Sequence, residues 1–408
     1  MESLCDKQRM PYIIRYLSNK DIGKENLKTL NEFDDHCKSK YLSVSSRFNY
    51  LKLLTSISKH SKKNIKKLDK KDITHFFANI KNRNPNSKKY GEELSKETIW
   101  SYQTCLIEVY KWLERVDLVD FIKSIRVKKS RNGKLKRDDI LTEDEVKLLI
   151  ECAINLRDKA LIFVIYETNC RLSEIANLRI KDVRIEENGI ELNIKVSKTE
   201  EGKRTAFIID SAPLLKQYLE QHRYKDNPEA PLWVNTTNQA YRNKKPDEPL
   251  SLDGIYTVIK KTANRTGIKK RIFPHLLRHS RTCHLLKSGM PPTLVQKIGG
   301  WADLQQLNRY GHLVDEDAKE YLLKQKGLKN GVEENKKILD VRVCPRCQER
   351  NSINVKYCNK CWLPLDVETA MEEMKHKEER SKADKVMDRL LEDNEFKEMF
   401  MKKLKDLN

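Results

Sequence analysis

Apolar residues recur at three- and four-residue steps over most of the chain, the spacing of an amphipathic helix. In TIWSYQTCLIEVYKWLERV the stripe is Ile99, Tyr102, Leu106, Val109, Tyr110 and Leu113, and 24–37, 44–59 and 70–80 show the same period. The Asn/Pro/Lys-rich stretch 81–93 reads as a loop. A new helix start lies at LTEDEVKLLIECA, where Thr142 caps the first turn and Glu145 stands three residues on. Helical periodicity continues to 182, and GIELNIKVSKTEEGKRTAFIID then changes to period two. Ile190, Leu192, Ile194 and Val196 fall on one side, and a Gly-containing turn near 199–203 makes this a β-hairpin. Helices resume at 211–223, 251–265, 275–288, 291–299 and 303–323. The pattern predicts a mainly α protein with a small antiparallel β-sheet, an α+β class.

Five regions follow. Residues 1–122 form a small helical domain, 123–137 a linker, 138–330 a second domain, 340–366 a cysteine module and 367–408 a charged helical tail. In the tail Met371, Met374, Val386, Met387, Leu390, Leu391, Phe396, Met399, Phe400 and Leu404 make a broken apolar stripe.

Charge adds a partner class. Lys and Arg number 81 against 60 Asp and Glu, a net charge of +21, which favours a polyanion. The linker concentrates it in Lys123, Arg126, Lys128, Lys129, Arg131, Lys134, Lys136 and Arg137 with no acidic residue. A basic strap between two helical domains suits a phosphate backbone, and a solvated charge run is the plainer reading. No apolar run approaches the roughly 20 residues needed to cross a bilayer, and the N-terminus lacks the features of a secretory signal. A cytoplasmic, nucleoid-associated protein is expected.

The ten cysteines fall into two classes. Cys5, Cys37, Cys105, Cys152, Cys170 and Cys283 are scattered among apolar neighbours and read as reduced core residues. Cys344, Cys347, Cys358 and Cys361 form C-x2-C, ten residues, C-x2-C, the spacing of four thiolates around one structural Zn²⁺. The run resembles short zinc ribbons, with Gln348 and Trp362 where glycines are usual.

Candidate chemistry lies in the second domain. Arg171 and Glu174 in NCRLSEIANL, and His275 and Arg278 in FPHLLRHS, are each three apart and so share a helix face. Arginine suits a phosphate because its planar fork binds two oxygens and stays charged. The segment 268–312 resembles the signature region of the tyrosine recombinases, the phage integrase and Xer-type family. H-x-L-R-H opens a helix, a Gly-Gly turn ends the next, and Tyr310 follows Trp301 by nine residues.

The resemblance implies a site-specific DNA recombinase (integrase) acting on double-stranded DNA, as a monomer or weak oligomer when free and a dimer or tetramer on DNA. It implies that Tyr310 attacks the phosphate and that Arg171 and Arg278 stabilise the charge. His275 would handle the incoming proton, Trp301 would replace the commoner His, and Glu174 would orient the basic groups. Lys198 in VSKTEEGKRT is the implied donor to the leaving 5′ oxygen, with Lys203 its rival. Catalysis would need neither metal nor ATP. Residues 1–122 would be the core-binding domain that clamps the other face of the duplex. Alternatives are a non-catalytic DNA-binding zinc-ribbon protein derived from a recombinase and a type IB topoisomerase-like nicking-closing enzyme.

Overall fold

The computed structural model describes residues 4–61, 63–80, 91–128, 136–195, 203–235, 249–308, 310–311, 339, 341–353, 355–393, 396, 398–400 and 402. Six helices come first: α1 (Leu4–Leu17), α2 (Lys24–Ser39), α3 (Val44–Ser61), α4 (Lys70–Asn79), α5 (Lys96–Trp112) and α6 (Val116–Ser124). Their apolar faces meet in one core that includes Leu30, Leu54, Ile73, Leu106 and Tyr110. Each start has a local cause. Asp69 and Asp72 form a capping box on α4, and Ser95 caps α5. One ion pair is buried, with Arg47 gripping Asp34 through two hydrogen bonds of 2.8 and 2.7 Å.

A second core begins at Ile140. It is built from α7 (Glu143–Glu151), α8 (Leu156–Thr168), α9 (Leu172–Ala176), α10 (Ala212–Glu220), α11 (Leu252–Thr266), α12 (Pro274–Lys287) and α13 (Pro292–Gly299). The Thr142–Glu145 capping box forms at α7. Helix α8 is the axle: every residue from Ala160 to Tyr166 is buried, so it has no polar face. The hairpin is present as β2 (Gly189–Lys195) and β3 (Lys203–Ile208), paired Ile190 to Ile208 through Lys195 to Lys203. Ile190, Leu192 and Ile194 are buried, and Val196 lies outside the described residues. A third strand, β1 (Val183–Glu186), pairs antiparallel with β2, so the sheet is larger than the hairpin expected from sequence. VRIE is too short to show a period of its own.

The cysteine module contains two short strands, β4 (Arg342–Val343) and β5 (Arg350–Asn351), and is followed by α14 (Val367–Glu392). It packs on the second domain: Ile353, together with Leu339, is buried in the same core as α8. Arg350 Nη1 donates to the Asn188 carbonyl in the β1–β2 turn at 2.7 Å. Among the described residues no helix is long and apolar enough to cross a membrane.

His284 on α12 lies 2.7 Å from the Tyr166 hydroxyl. Burial, reinforced by the charges of Arg281 and Lys287, holds its pKa down at about 4. Between pH 6.5 and 4 the unfolded chain therefore takes up a proton that the folded one refuses. Stability falls as pH falls through that window, by on the order of 3 kcal/mol for this group. His284→Gln should flatten this part of the stability–pH curve in urea titrations at pH 7 and 4.5.

Candidate active site

The site is organised on the C-terminal end of α13. The helix ends in a Schellman turn: Gly300, with φ +61°, donates to the Lys297 carbonyl at 3.0 Å, and the Trp301 N–H donates to Gln296 at 3.1 Å. Three further carbonyls remain to be satisfied. Arginines from three distant segments take them in succession. Arg204 Nη1 donates to Ile298 at 2.7 Å, Arg278 Nη2 to Gly299 at 2.8 Å and Arg171 Nη1 to Gly300 at 3.2 Å. Positive charge at a helix C-terminus is also favoured by the helix dipole. Both glycines are required by close approach. A Cβ on Gly299 would lie 2.7 Å from the Trp301 ring, and one on Gly300 would lie 2.6 Å from Arg204 Nε.

Each arginine is fixed from behind. Helix α8 ends at Asn169 in the left-handed conformation, φ +53°, which asparagine tolerates. The Asn169 carbonyl accepts from Arg278 Nη1 at 2.5 Å. Arg171 then stands at the start of α9, where Glu174 accepts from its backbone N–H and its Nη1, both at 2.9 Å. The same carboxylate accepts from Arg204 Nη2 at 2.8 Å, and Cys170 Sγ lies 3.0 Å from that nitrogen. Burial raises the Glu174 pKa, yet its bonds and charges with Arg204 and Arg171 hold it below the usual carboxylate range. Burial, then the neighbouring Arg171 charge, lowers Arg278 to about 10, so it remains a cation at neutral pH. Glu174 thus accepts hydrogen bonds from two cations.

Arg204 went unnoticed in the sequence. In the register of β3 it alternates with Ala206 and Ile208, both buried. A charged residue on the inward face of a strand was the available signal.

The aromatic end of the site adjoins this clamp. The Arg278 guanidinium lies 4.7 Å from the Trp301 ring centroid, and the Trp301 and Tyr310 rings are 6.2 Å apart. Tyr310 is 1% exposed and Arg278 3%, while the Arg171 side chain is 41% exposed and His275 is also exposed. The open face is thus the one bearing Arg171 and His275. The Tyr310 hydroxyl is 2.5 Å from Nδ1 of His279. These histidines are one helical turn apart, and the deeper one faces the phenol; their rings meet edge-on at 4.6 Å. Lys198 lies outside the described residues, and Lys203 is placed only as the first residue of β3.

The sequence profile of the phage integrase family matches residues 139–317, a span that holds the arginine clamp, His275 and Tyr310. Residues 139–317 are a phage integrase domain. Similar proteins include the tyrosine recombinase XerD of Oceanobacillus iheyensis, 27% identical over 286 residues, 67% of this chain and 89% of that one. A tyrosine recombinase of Thermosipho africanus is 28% identical over 65% of this chain and 86% of its own. Among solved structures, the post-cleavage complex of XerH with palindromic difH DNA has a TM-score of 0.53 at 19% identity, covering 77% of this chain and 95% of that one. The Tn1549 transposon integrase with transposon right-end DNA has a TM-score of 0.54 at 16% identity, covering 73% and 99%. These structures share the fold.

Beyond the integrase domain, the four clustered cysteines converge. Their sulfurs all lie within 4.8 Å of one another, with Cys344–Cys361 at 3.4 Å and Cys347–Cys358 at 3.5 Å. The knuckles close by Gln348 N–H to Cys344 O and Trp362 N–H to Cys358 O, each 2.9 Å. Gln348 and Trp362 adopt φ of +58° and +61°, so the residues that replace the usual glycines still make the turns.

The basic linker begins later than its composition suggested. Helix α6 carries Lys123, which pairs with Asp120, and Gln103 binds the backbone of Ile125 and Val127 on both sides of Arg126. Arg126 itself lies 4.7 Å from the Trp100 ring centroid and donates to Thr104 at 2.9 Å. Lys128, Lys136 and Arg137 are exposed; Lys129, Arg131 and Lys134 lie outside the described residues.

The clamp yields a test at residues that bear no reacting atom. Arg204→Ala removes a donor from the helix end and a partner from Glu174. Gly300→Ala forces the Arg204 guanidinium aside. Each should slow strand cleavage by about 10²-fold, the usual effect of a displacement near 1 Å at a reacting centre. Duplex affinity in a gel-shift assay should change by less than about threefold.

Proposed function

We propose that this tyrosine-type site-specific recombinase breaks and rejoins double-stranded DNA through Tyr310, with the scissile phosphate seated against Arg171 and Arg278. One observation carries the assignment. Arg171 and Arg278, remote in sequence, hold adjacent carbonyls of the turn that presents Trp301, and Tyr310 stands beside that turn. Arg171 Nη2 and Nε have no partner among the described residues and can receive phosphate oxygens from the open face. His275 borders that face and donates to a non-bridging oxygen, as does the Trp301 indole N–H. Lys198 protonates the departing 5′ oxygen. Because Tyr310 and Arg278 are covered, bringing them to the phosphate requires Trp301 and Tyr310 to shift outward when DNA binds.

The phosphotyrosyl bond retains the energy of the phosphodiester, so rejoining needs neither ATP nor a catalytic metal. Residues 1–122 form the core-binding domain, and the basic residues between it and the integrase domain follow the DNA backbone. The assembly on DNA is a dimer or tetramer. The cysteine module holds one structural Zn²⁺: four sulfurs 2.3 Å from a common centre stand about 3.8 Å apart, close to the spacings found here. The ion keeps the module folded and Ile353 seated in the integrase core.

Tyr310→Phe should bind nicked suicide duplexes from the DNA flanking its own coding sequence but form no covalent adduct on denaturing gels. Arg171→Ala and Arg278→Ala should slow adduct formation at least about 10²-fold, the loss typical of one preorganised donor to developing charge. An adduct with Tyr310→Phe would remove Tyr310 from the mechanism.

Metal analysis of the purified chain should give one zinc per protein. Its removal by a strong chelator should unfold the module and lower the melting temperature of the integrase domain, because metal binding and folding are coupled in units this small. Zinc-free protein with unchanged melting would overturn the structural role.

A further inference from the structure

We propose that the two knuckles of the cysteine module form a second DNA-contact surface, with Arg346 and Lys360 on phosphates and the Trp362 ring in the groove of duplex DNA flanking the cleavage region. This contact extends the reading of the chain as a recombinase and rests on it for the nature of the partner. Trp362 is 76% exposed, and its backbone is left-handed at φ +61°. A bulky residue in that region strains the backbone, and a ring left in water contributes little to folding. Glycine would serve the turn better. Neither the turn nor the core therefore accounts for the indole, and side chains held in strained conformations cluster where ligands are clamped.

Charge points to the same partner. The knuckles are equivalent in sequence, CPRCQ and CNKCW, each with a buried first cysteine, a cation two residues on and an exposed side chain four residues on. Arg346 and Lys360 thus occupy the same place in the two turns, and both are exposed. Sulfur separations of 3.4 and 3.5 Å set the turns side by side, so both cations and the indole belong to one small surface. Neither turn contains an acidic residue. Nearby carboxylates are already engaged, Asp366 by Arg342 at 2.9 Å and Glu372 by Lys356 at 3.6 Å. Paired cations beside an exposed aromatic suit nucleic acid, which offers phosphates to the charges and sugars and bases to the ring. An apolar protein surface would leave both cations unanswered.

The attachment of the module determines which part of the DNA it meets. Arg204 of the clamp pairs with Ile194 toward one end of the three-stranded sheet. The module is tied to the other end, where Arg350 holds Asn188 in the β1–β2 turn, and Ile353 seats it in the integrase core. Between Asn188 and Ile194 the chain covers roughly 20 Å, at about 3.3 Å per residue of strand. The knuckles accordingly touch duplex beyond the scissile phosphate. They add affinity there and bring no reacting group.

The test uses the full zinc-loaded chain and two versions of the duplex, one covering only the cleavage region and one extended on both sides. Extension should tighten binding by the parent, and Trp362→Ala should remove about tenfold of affinity on the long duplex, the usual loss for one aromatic contact to nucleic acid. Arg346→Ala combined with Lys360→Ala should lower the slope of log affinity against log salt by about 1.8, at about 0.9 per phosphate contact. Trp362→Gly, which relaxes the turn, should lose the same affinity while holding zinc and melting no lower than the parent, which separates lost contact from lost fold. Hydroxyl-radical footprints on the long duplex should lose their outer protection in every variant. Unchanged affinity and footprint overturn the proposal, as does a defect confined to association between protomers, which would assign the ring to a second copy of the chain. A parent that binds both duplexes but forms no covalent adduct overturns the recombinase reading and leaves the knuckle contact standing, whereas the knuckle variants bear on this surface alone.

Discussion

The site depends on one helix end that cannot satisfy its own backbone. The Schellman turn at Gly300 uses the carbonyls of Gln296 and Lys297, and three arginines meet those of Ile298, Gly299 and Gly300. Leaving a buried carbonyl unpaired costs about 1–3 kcal/mol, so the turn recruits cations from α9, β3 and α12 as a condition of folding. The charges are thereby set in place before any anion arrives. Mutual repulsion among them is moderated by Glu174, which is bonded to two of the three.

This construction also explains the glycine pair. Gly299 makes room for the Trp301 ring and Gly300 for the Arg204 guanidinium, so the two are needed for different reasons. The Trp301 ring in turn lies against Arg278, and the phenol of Tyr310 stands next to it. Backbone satisfaction, cation placement and the position of Tyr310 are one problem with one solution.

Much of this was legible in the sequence because it was local. The period-two run at 190–194, the Thr142 cap and the spacing of His275, Arg278, Trp301 and Tyr310 each carry their own short-range signal. What was missed depends on contacts between segments. Arg204 acquires its role only when β3 is set beside α13, and its neighbours Lys198 and Lys203 drew attention as turn residues instead. His279 was overlooked because the motif singles out His275, while the helix turns the deeper histidine toward a tyrosine thirty-one residues later. The linker was read from charge alone, and Gln103 holding Ile125 and Val127 shows that part of a basic run can be ordered structure.

Leu339 and Ile353 lie in the same apolar interior as helix α8. The polypeptide beyond the integrase domain is thus not an appendage that evolution or a protease can trim at will. Cutting it away would open a wet gap beside the axle of the enzyme, and the two parts should melt cooperatively, as a single unit. The apolar interior of the enzyme and that of the cysteine module are continuous.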